Sequence, residues 1–347
     1  MKKIIRYGIV GTGIIAEAHA NALRSAVNSK LVAVYDKDPE RAGKFAQRHG
    51  GKVYNNYKEF LSDNEIDAVS IAVPSGLHME TAIPAAEAGK HILCEKPLDV
   101  SLVKAQAIID ACRKNNVQLS VVFQLRFGES VQKIKKALDL KLFGRIVLVS
   151  MQLKWFRTQE YYDTASWRGT WELGGGGVLM TQAIHDLDLM LYLNGFPSEV
   201  TAYASTMTHT GIEVEDNAAA VIRWPDGALG VIEASTSCAP GFPRRLEISG
   251  EKGSVIMEDG KITRWKLAAI SENNTAETAK NESLSGGSSN PSAISAGGHQ
   301  QQFEDLSEAI LTGKKLFLSG EDGLPSLRFL HGIYESAKRG IPVKFTG

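Results

Sequence analysis

Gly11-Thr12-Gly13-Ile14-Ile15-Ala16 follows at once on the apolar run IIRYGIV of residues 4–10 and opens onto AEAHANALRSA, a run of helix formers. The order is strand, tight turn, helix, and it decides the fold. In G-x-G-x-x-A the first glycine permits the turn, the second lets a pyrophosphate approach the backbone, and the small third residue lets helix and strand pack closely. Thr12, Ile14 and Ile15 then bring the amides of a helix N-terminus to the phosphates. About 20 residues further on, the run LVAVYD ends at Asp36, where a carboxylate accepts hydrogen bonds from the adenosine ribose diol. The glycines alone are weak evidence; with Asp36 at that spacing they specify a dinucleotide site. A carboxylate there repels the 2′-phosphate of NADP, so NAD is expected. Lys37 offers an ammonium that would offset part of that repulsion, against the plainer reading of a solvated surface lysine.

Outward from this stretch the pattern alternates strand and helix: helices from about Pro39 to His49 and Tyr57 to Leu61, a strand DAVSIAVP, a helix from His78 to Ala88, the strand HILC, a helix from Ser101 to Lys114, and a strand beginning at Gln118. Alternation of this kind implies a doubly wound parallel sheet, whose ligands lie outside the carboxyl ends of the strands. At one such end stand Glu95, Lys96 and Pro97, where a lysine would meet cofactor and substrate; a cis bond before Pro97 would lock its direction. At another stand Pro74, Ser75 and His78, expected along the nicotinamide side of the cofactor, and Gln124 closes the last strand. This domain is read as residues 1–124.

Composition narrows the class. The chain has 347 residues, long enough for two domains, and its 39 basic residues balance 39 acidic ones, so no global field recruits nucleic acid or an anionic membrane. Three cysteines without C-x-x-C spacing argue against a disulfide framework or zinc site, no metal is expected, and no stretch reads as a signal peptide or membrane span. A soluble, cytoplasmic protein is expected.

After residue 125 the spacing changes. Closely set strand-like runs at residues 146–155, 200–209, 216–224, 228–237, 245–249, 254–258 and 261–267 describe an antiparallel meander in an α+β domain of residues 125–347. Between the first two lies WRGTWELGGGGVLMTQAIHDLDLMLYL, in which Gly174 to Gly177 form a loop before a helix of residues 178–193. Thr181 and His185 are i,i+4 neighbours on that helix, with Asp188 three further on and Ile184, Leu187 and Leu191 as the core stripe. The glycine loop is expected to leave room for a sugar ring against the backbone. Residues 271–298 read as a long exposed loop or lid.

The fingerprint, Glu95-Lys96-Pro97, the glycine loop and His185 together resemble the glucose-fructose oxidoreductase, inositol dehydrogenase and MocA (Gfo/Idh/MocA) family over nearly the whole chain. VVFQLRF, KWFRTQEYYDTASWRGTW and GGGVLMTQAIHDLDL resemble its branch of nucleotide-sugar 3-dehydrogenases, which act on UDP-linked N-acetylated sugars or sugar acids. The resemblance implies an amino-terminal Rossmann domain, a carboxy-terminal domain with an open, mainly antiparallel sheet, and a homodimer or homotetramer. It also implies hydride transfer between a carbinol carbon and NAD. Lys96 would bind the reacting oxygen and help move its proton, His185 would be the nearby acid or base, and Glu95 would contact cofactor hydroxyls. Trp167 and Arg168 match a pair beside the nicotinamide, with Arg168 alternatively facing a substrate carboxylate or phosphate. Thr181 and Gln182 would touch substrate. Thr181 departs from the family, which has aspartate or, in this branch, asparagine there; threonine orients a ligand but carries no charge to raise the pKa of His185. The alternatives are a dehydrogenase of a free sugar, inositol or 1,2-diol, and a non-catalytic NAD-binding redox sensor.

Overall fold

The computed structural model of the chain describes residues 4–268 and 297–345. Its strands are β1 (Ile5–Val10), β2 (Ser29–Tyr35), β3 (Lys52–Tyr54), β4 (Ala68–Ile71), β5 (His91–Cys94), β6 (Leu119–Val121), β7 (Ile146–Lys154), β8 (Glu199–Ser205), β9 (Asn217–Arg223), β10 (Leu229–Ser235), β11 (Arg245–Gly250), β12 (Gly253–Glu258), β13 (Lys261–Leu267) and β14 (Val343–Lys344). Its α-helices are α1 (Ile14–Ser25), α2 (Pro39–His49), α3 (Tyr57–Ser62), α4 (His78–Glu87), α5 (Leu102–Lys114), α6 (Glu129–Asp139), α7 (Gln159–Asp163), α8 (Trp171–Gly174), α9 (Ile184–Asn194), α10 (Gly297–Thr312) and α11 (Leu324–Arg339).

Residues 4–124 and 297–324 make one compact unit. Its six strands run parallel in the order β3-β2-β1-β4-β5-β6. The order reverses between β1 and β4, which is where a doubly wound sheet binds its ligand. Strands β4 and β5 are largely apolar, with Ser70 and His91 as the exceptions, because helices cover both faces of a parallel sheet, and every residue of β4 is buried. Asp38 caps α2 by accepting from the amides of Glu40 and Arg41, with Pro39 at the first helical position.

The expectation of a second domain running unbroken from 125 to 347 is corrected by α10. Phe303, Leu306 and Ala309 on that helix are fully buried in one cluster with Tyr7, Ala16 and Ala20. Burying a side chain such as Phe303 or Leu306 contributes about 1.5–3 kcal/mol. Ser307 anchors the helix by hydrogen bonds to Tyr7 (3.0 Å) and Ser29 (2.8 Å). Of the loop or lid expected at 271–298, residues up to 296 lie outside the described residues, and Gly297 and Gly298 begin α10.

Residues 125–268 and 325–345 make the other unit, an eight-stranded sheet in the order β13-β12-β11-β7-β10-β9-β8-β14. It is mainly antiparallel, as expected, but it is no simple meander. Strand β7 sits at its centre, parallel to β10 and antiparallel to β11. The long excursion through α7, α8 and α9 between β7 and β8 supplies the crossover that a parallel pair needs. The run expected to reach His209 ends at Ser205, because Asp216 collects the amides of Met207, Thr208 and His209 at 2.8–3.0 Å and curls that segment into a loop. Helix α9 is not striped. Asp186 and Asp188 are as buried as Leu187 and Leu191, so both carboxylates require partners inside the protein.

Candidate functional site

In the first unit the candidate cofactor site is the turn after β1. Gly11 has φ +90°, and a Cβ there would lie 2.6 Å from the carbonyl oxygen of Ala72, so only glycine lets the turn pass β4. At Gly13 the reason differs. A Cβ would meet no protein atom closer than 4.0 Å, and Gly13 begins α1 with no side chain capping the helix. Open space and uncapped amides at that point fit a dinucleotide pyrophosphate. Ile14 is 46% exposed beside the opening.

Asp36 is buried and held in place: its Oδ2 accepts from the amide (2.8 Å) and the hydroxyl (2.7 Å) of Thr12, and its Oδ1 accepts from the Asp38 amide (3.0 Å). Lys37 is exposed. The cation that reaches Asp36 is instead Arg41, whose Nη2 lies 3.7 Å from Oδ2. Its position in the first turn of α2, five residues after the carboxylate, was the available signal in the sequence. Asp36→Ala is expected to weaken NAD binding and narrow its advantage over NADP, since it removes the repulsion and leaves Arg41 to receive a 2′-phosphate; parallel titrations of the two cofactors measure this.

Glu95 and Lys96 follow β5, and the Lys96–Pro97 bond is cis. Lys96 is half-buried, whereas Glu95 is buried and fully engaged. His19 Nε2 lies 2.8 Å from Glu95 Oε1, and the Lys96 amide donates to Oε2 at 3.1 Å. The other ring nitrogen of His19 meets the Ser70 hydroxyl at 2.7 Å, and His299 of α10 brings its Nε2 to 4.0 Å from Oε1. Burial pushes the Glu95 carboxyl up, but the His19 hydrogen bond and the charges of His19, Lys96 and His299 outweigh it and hold the group down at about 2. His19, Glu95 and His299 are the one trio among the described residues with the spacing of metal ligands, their ligand atoms within 4.8 Å of one another. The hydrogen bonds already made by His19 and Glu95 account for the grouping as a buried charge network. Sequence reading missed His19 and His299, which lie far apart in the chain.

His78 corrects an expectation. It is fully buried, with Nδ1 2.9 Å from the Pro97 carbonyl and Nε2 3.0 Å from the Val73 carbonyl. Its ring ties two loops together and cannot touch a cofactor. Pro74 and Ser75 stand half-buried just after β4, and Gln124 is buried at the unit's end.

The second unit carries the remaining residues. A single wide π-type turn, Leu179–Ala183, precedes α9 and contains Thr181 and Gln182. Such turns favour functional positions, and they shift side chains off the 3.6-residue period on which the i,i+4 pairing of Thr181 with His185 rested. The Thr181 hydroxyl donates to the Gly177 carbonyl at 2.7 Å, and His185 is half-buried. Gln182 donates to the Tyr161 hydroxyl at 2.8 Å. Trp167 and Arg168 lie together, the guanidinium 5.6 Å from the indole centroid and 4.2 Å from that of Tyr161.

The glycine loop is filled by the protein itself. A Cβ on Gly177 would lie 1.7 Å from the Glu215 carbonyl oxygen, and the Glu215 carboxylate accepts from the amides of Gly177 (3.0 Å) and Leu179 (2.9 Å) and from the Tyr334 hydroxyl (3.0 Å). The anion at this helix start is Glu215, so the expected room for a sugar against these glycines is corrected. Asp188 is likewise structural, accepting from Arg126 at 2.7 and 2.8 Å and from Ser326 at 2.8 Å.

Two family models match the chain: the oxidoreductase family with NAD-binding Rossmann fold at residues 5–123, and the GFO/IDH/MocA C-terminal domain at 131–256. The chain belongs to the Gfo/Idh/MocA oxidoreductase family. It is therefore an NAD-dependent oxidoreductase whose first unit is the Gfo/Idh/MocA Rossmann domain. Among solved Gfo/Idh/MocA structures, the WlbA dehydrogenase of Bordetella pertussis, in complex with NADH and UDP-GlcNAcA, is 32% identical with a TM-score of 0.87, covering 99% of this chain and 100% of that one. The WlbA dehydrogenase of Chromobacterium violaceum, with the same two ligands, is also 32% identical, with a TM-score of 0.86, covering 100% of this chain and 97% of that one. The myo-inositol 2-dehydrogenase of Thermotoga maritima is 29% identical over 264 residues, 75% of this chain and 77% of its own.

Proposed function

We propose that this protein oxidises a secondary alcohol of a sugar, C3 of a nucleotide-linked sugar, using NAD. The observation that carries the reading is Lys96 at the carboxyl end of β5, half-buried and adjacent to an anionic, fully hydrogen-bonded Glu95, in a sheet whose first strand opens onto the dinucleotide turn. The nucleotide-sugar choice is supported by the full-length similarity to the WlbA dehydrogenases and by the Tyr161, Trp167, Arg168 and Gln182 cluster of the second unit. Bound NAD supplies a hydride acceptor at its nicotinamide ring. The ammonium of Lys96 binds the reacting oxygen and steadies the charge that develops as its proton leaves; His185 receives or returns that proton; Thr181 and Gln182 orient the ring. Pro74 and Ser75 flank the nicotinamide end of the cofactor.

Turnover with UDP-linked N-acetylhexosamines, their uronic acids and free polyols, read as reduced-nicotinamide absorbance, tests the reading; oxidation of myo-inositol or a free sugar alone would replace it. His185→Ala is expected to lower turnover and flatten the limb of the pH-rate profile that His185 controls. Thr181→Asp places a negative charge four residues before His185 across the π-type turn; where it reaches the imidazole it stabilises the protonated form and should move that limb to higher pH. An unshifted limb would show that the two side chains are not coupled.

The assembly is proposed to be a homodimer or homotetramer built on the open face of the large sheet, where Leu148 and Leu229 are cross-strand partners, 47% and 45% exposed, near Val221 and Tyr203 at 55% and 74%. This apolar patch, on a face that also carries Arg223 and Glu233, suits a second copy of the chain. Three thiols free of disulfides suit a reducing cytoplasm, and no helix among the described residues is long and apolar enough to cross a membrane.

A further inference from the structure

His19, which the reading above leaves without a task, sits in the second turn of α1 and is wholly buried. Burying an imidazole costs stability unless its ring nitrogens are bonded, and here both are. Nδ1 meets the Ser70 hydroxyl at 2.7 Å and Nε2 meets Glu95 Oε1 at 2.8 Å. A carboxylate only accepts, so Nε2 is the nitrogen that donates to Glu95. Ser70, His19 and Glu95 stand in the order of a hydrolytic triad, but Ser70 is 0% exposed on the interior strand β4, where no substrate reaches its hydroxyl. The chain of bonds serves Glu95 instead.

The same carboxylate is approached from a second helix. His299, in the first turn of α10, brings Nε2 to 4.0 Å from Oε1, and its ring lies 5.3 Å from that of His19. Phe303, one turn further on, meets the His19 ring edge-on at 5.6 Å. The other carboxylate oxygen, Oε2, accepts from the Lys96 amide at 3.1 Å. Glu95 thus divides its two oxygens, one facing the histidines of α1 and α10 and the other holding the backbone at Lys96. We propose that His19 and His299 are positioning residues for the oxidation: by fixing the Glu95 carboxylate from two helices they hold the Lys96 backbone, and through it direct the Lys96 ammonium at the reacting oxygen. This deepens, and rests on, the reading of Lys96 as the residue that binds that oxygen. Because α1 also begins at the dinucleotide turn, one helix sets both the cofactor phosphates and, through Glu95, the lysine. Displacing a reacting group by about 1 Å can cost roughly 10²-fold in rate, so such holding has a measurable effect.

The test joins hydrogen exchange to kinetics on the full chain. In His19→Leu and in His299→Leu the Lys96 amide should exchange roughly 10-fold or more faster, because its acceptor is no longer held, while amides elsewhere in the sheet keep their rates. His19→Gln, which keeps a side-chain N–H near the place of Nε2 and is the safer variant for folding, should restore slow exchange. With the sugar that the wild type oxidises, both leucine variants should lose roughly 10- to 100-fold in kcat and kcat/KM alike, with NADH affinity within a small factor and recovery in His19→Gln. Unchanged exchange at Lys96, faster exchange with normal kcat, or faster exchange throughout the sheet would overturn the proposal. So would a loss confined to NADH affinity, which would make the histidines cofactor-holding residues. Stoichiometric zinc whose removal by a chelator abolishes turnover would overturn it too, since the trio would then be a metal site. If the wild type oxidises none of the sugars, the sugar-dehydrogenase reading falls, and exchange at Lys96 still decides whether the two histidines hold it.

Discussion

Replacing Lys96 by methionine is expected to cut turnover by roughly 10²-fold or more, the usual scale for a positioned acid-base group, while NAD affinity stays within a small factor. Methionine keeps the length and apolar stem of the side chain and removes only the ammonium. The backbone amide of residue 96 still donates to Glu95, and the turn at Gly11 and Gly13 is untouched, so the dinucleotide platform is preserved. Steady-state kinetics beside a fluorescence titration of NADH separates the two quantities. Near-normal turnover in the variant would remove Lys96 from the chemistry, and parallel loss of NADH binding would make it a cofactor-holding residue instead. Glu95 offers no substitute: at a pKa of about 2 it is a carboxylate throughout the working range and neither donates nor collects a proton.

Asp188→Ala should cost about 3–5 kcal/mol, because it removes the buried, bidentate carboxylate partner of the Arg126 guanidinium. Both side chains are nearly inaccessible, 8% and 1% exposed, and the bond is bidentate. For a unit of this size that loss corresponds to a fall of roughly 6–20 °C in melting temperature. The pair Arg126→Met with Asp188→Leu should recover most of it, since two apolar side chains carry no desolvation penalty. If the single and double variants melt alike, the ion pair is not what holds α9 in place. Activity at a temperature well below melting should change far less than in Lys96→Met, which distinguishes a structural carboxylate from one that serves the reaction.

The parts of the molecule legible in the sequence are those specified by neighbours along the chain. Gly11, Gly13 and Asp36 encode a turn and a strand end through short-range geometry, and alternating runs fix the order of strands and helices. What was not legible depends on contacts between distant segments. No local pattern tells that Phe303 and Ser307 belong against Tyr7, or that His299 joins His19 beside Glu95. His78 looked available for a cofactor because it begins a helix; only the carbonyls of Val73 and Pro97, brought together by folding, show that its ring is spent. The glycines 174–177 signalled a close approach correctly, but the approaching groups are Glu215 and Tyr334. The π-type turn was invisible to a reading that assumed one helical period.

The placement of α10 also bears on how the protein comes into being. The socket that receives Phe303 and Leu306 is built by Tyr7, Ala16, Ala20 and their neighbours, all made well before α10. The residues that fill it are polymerised only after β7 to β13, seven of the eight strands of the large sheet, have been made, and at about 5–20 residues per second the interval from Gln124 to Thr312 is on the order of tens of seconds. Throughout that interval the nascent nucleotide-binding layer carries an open apolar surface while another domain is synthesised behind it. Birth of this enzyme is thus exposed to chaperones and proteases for longer than that of a dehydrogenase whose cofactor domain is closed by its own continuous sequence.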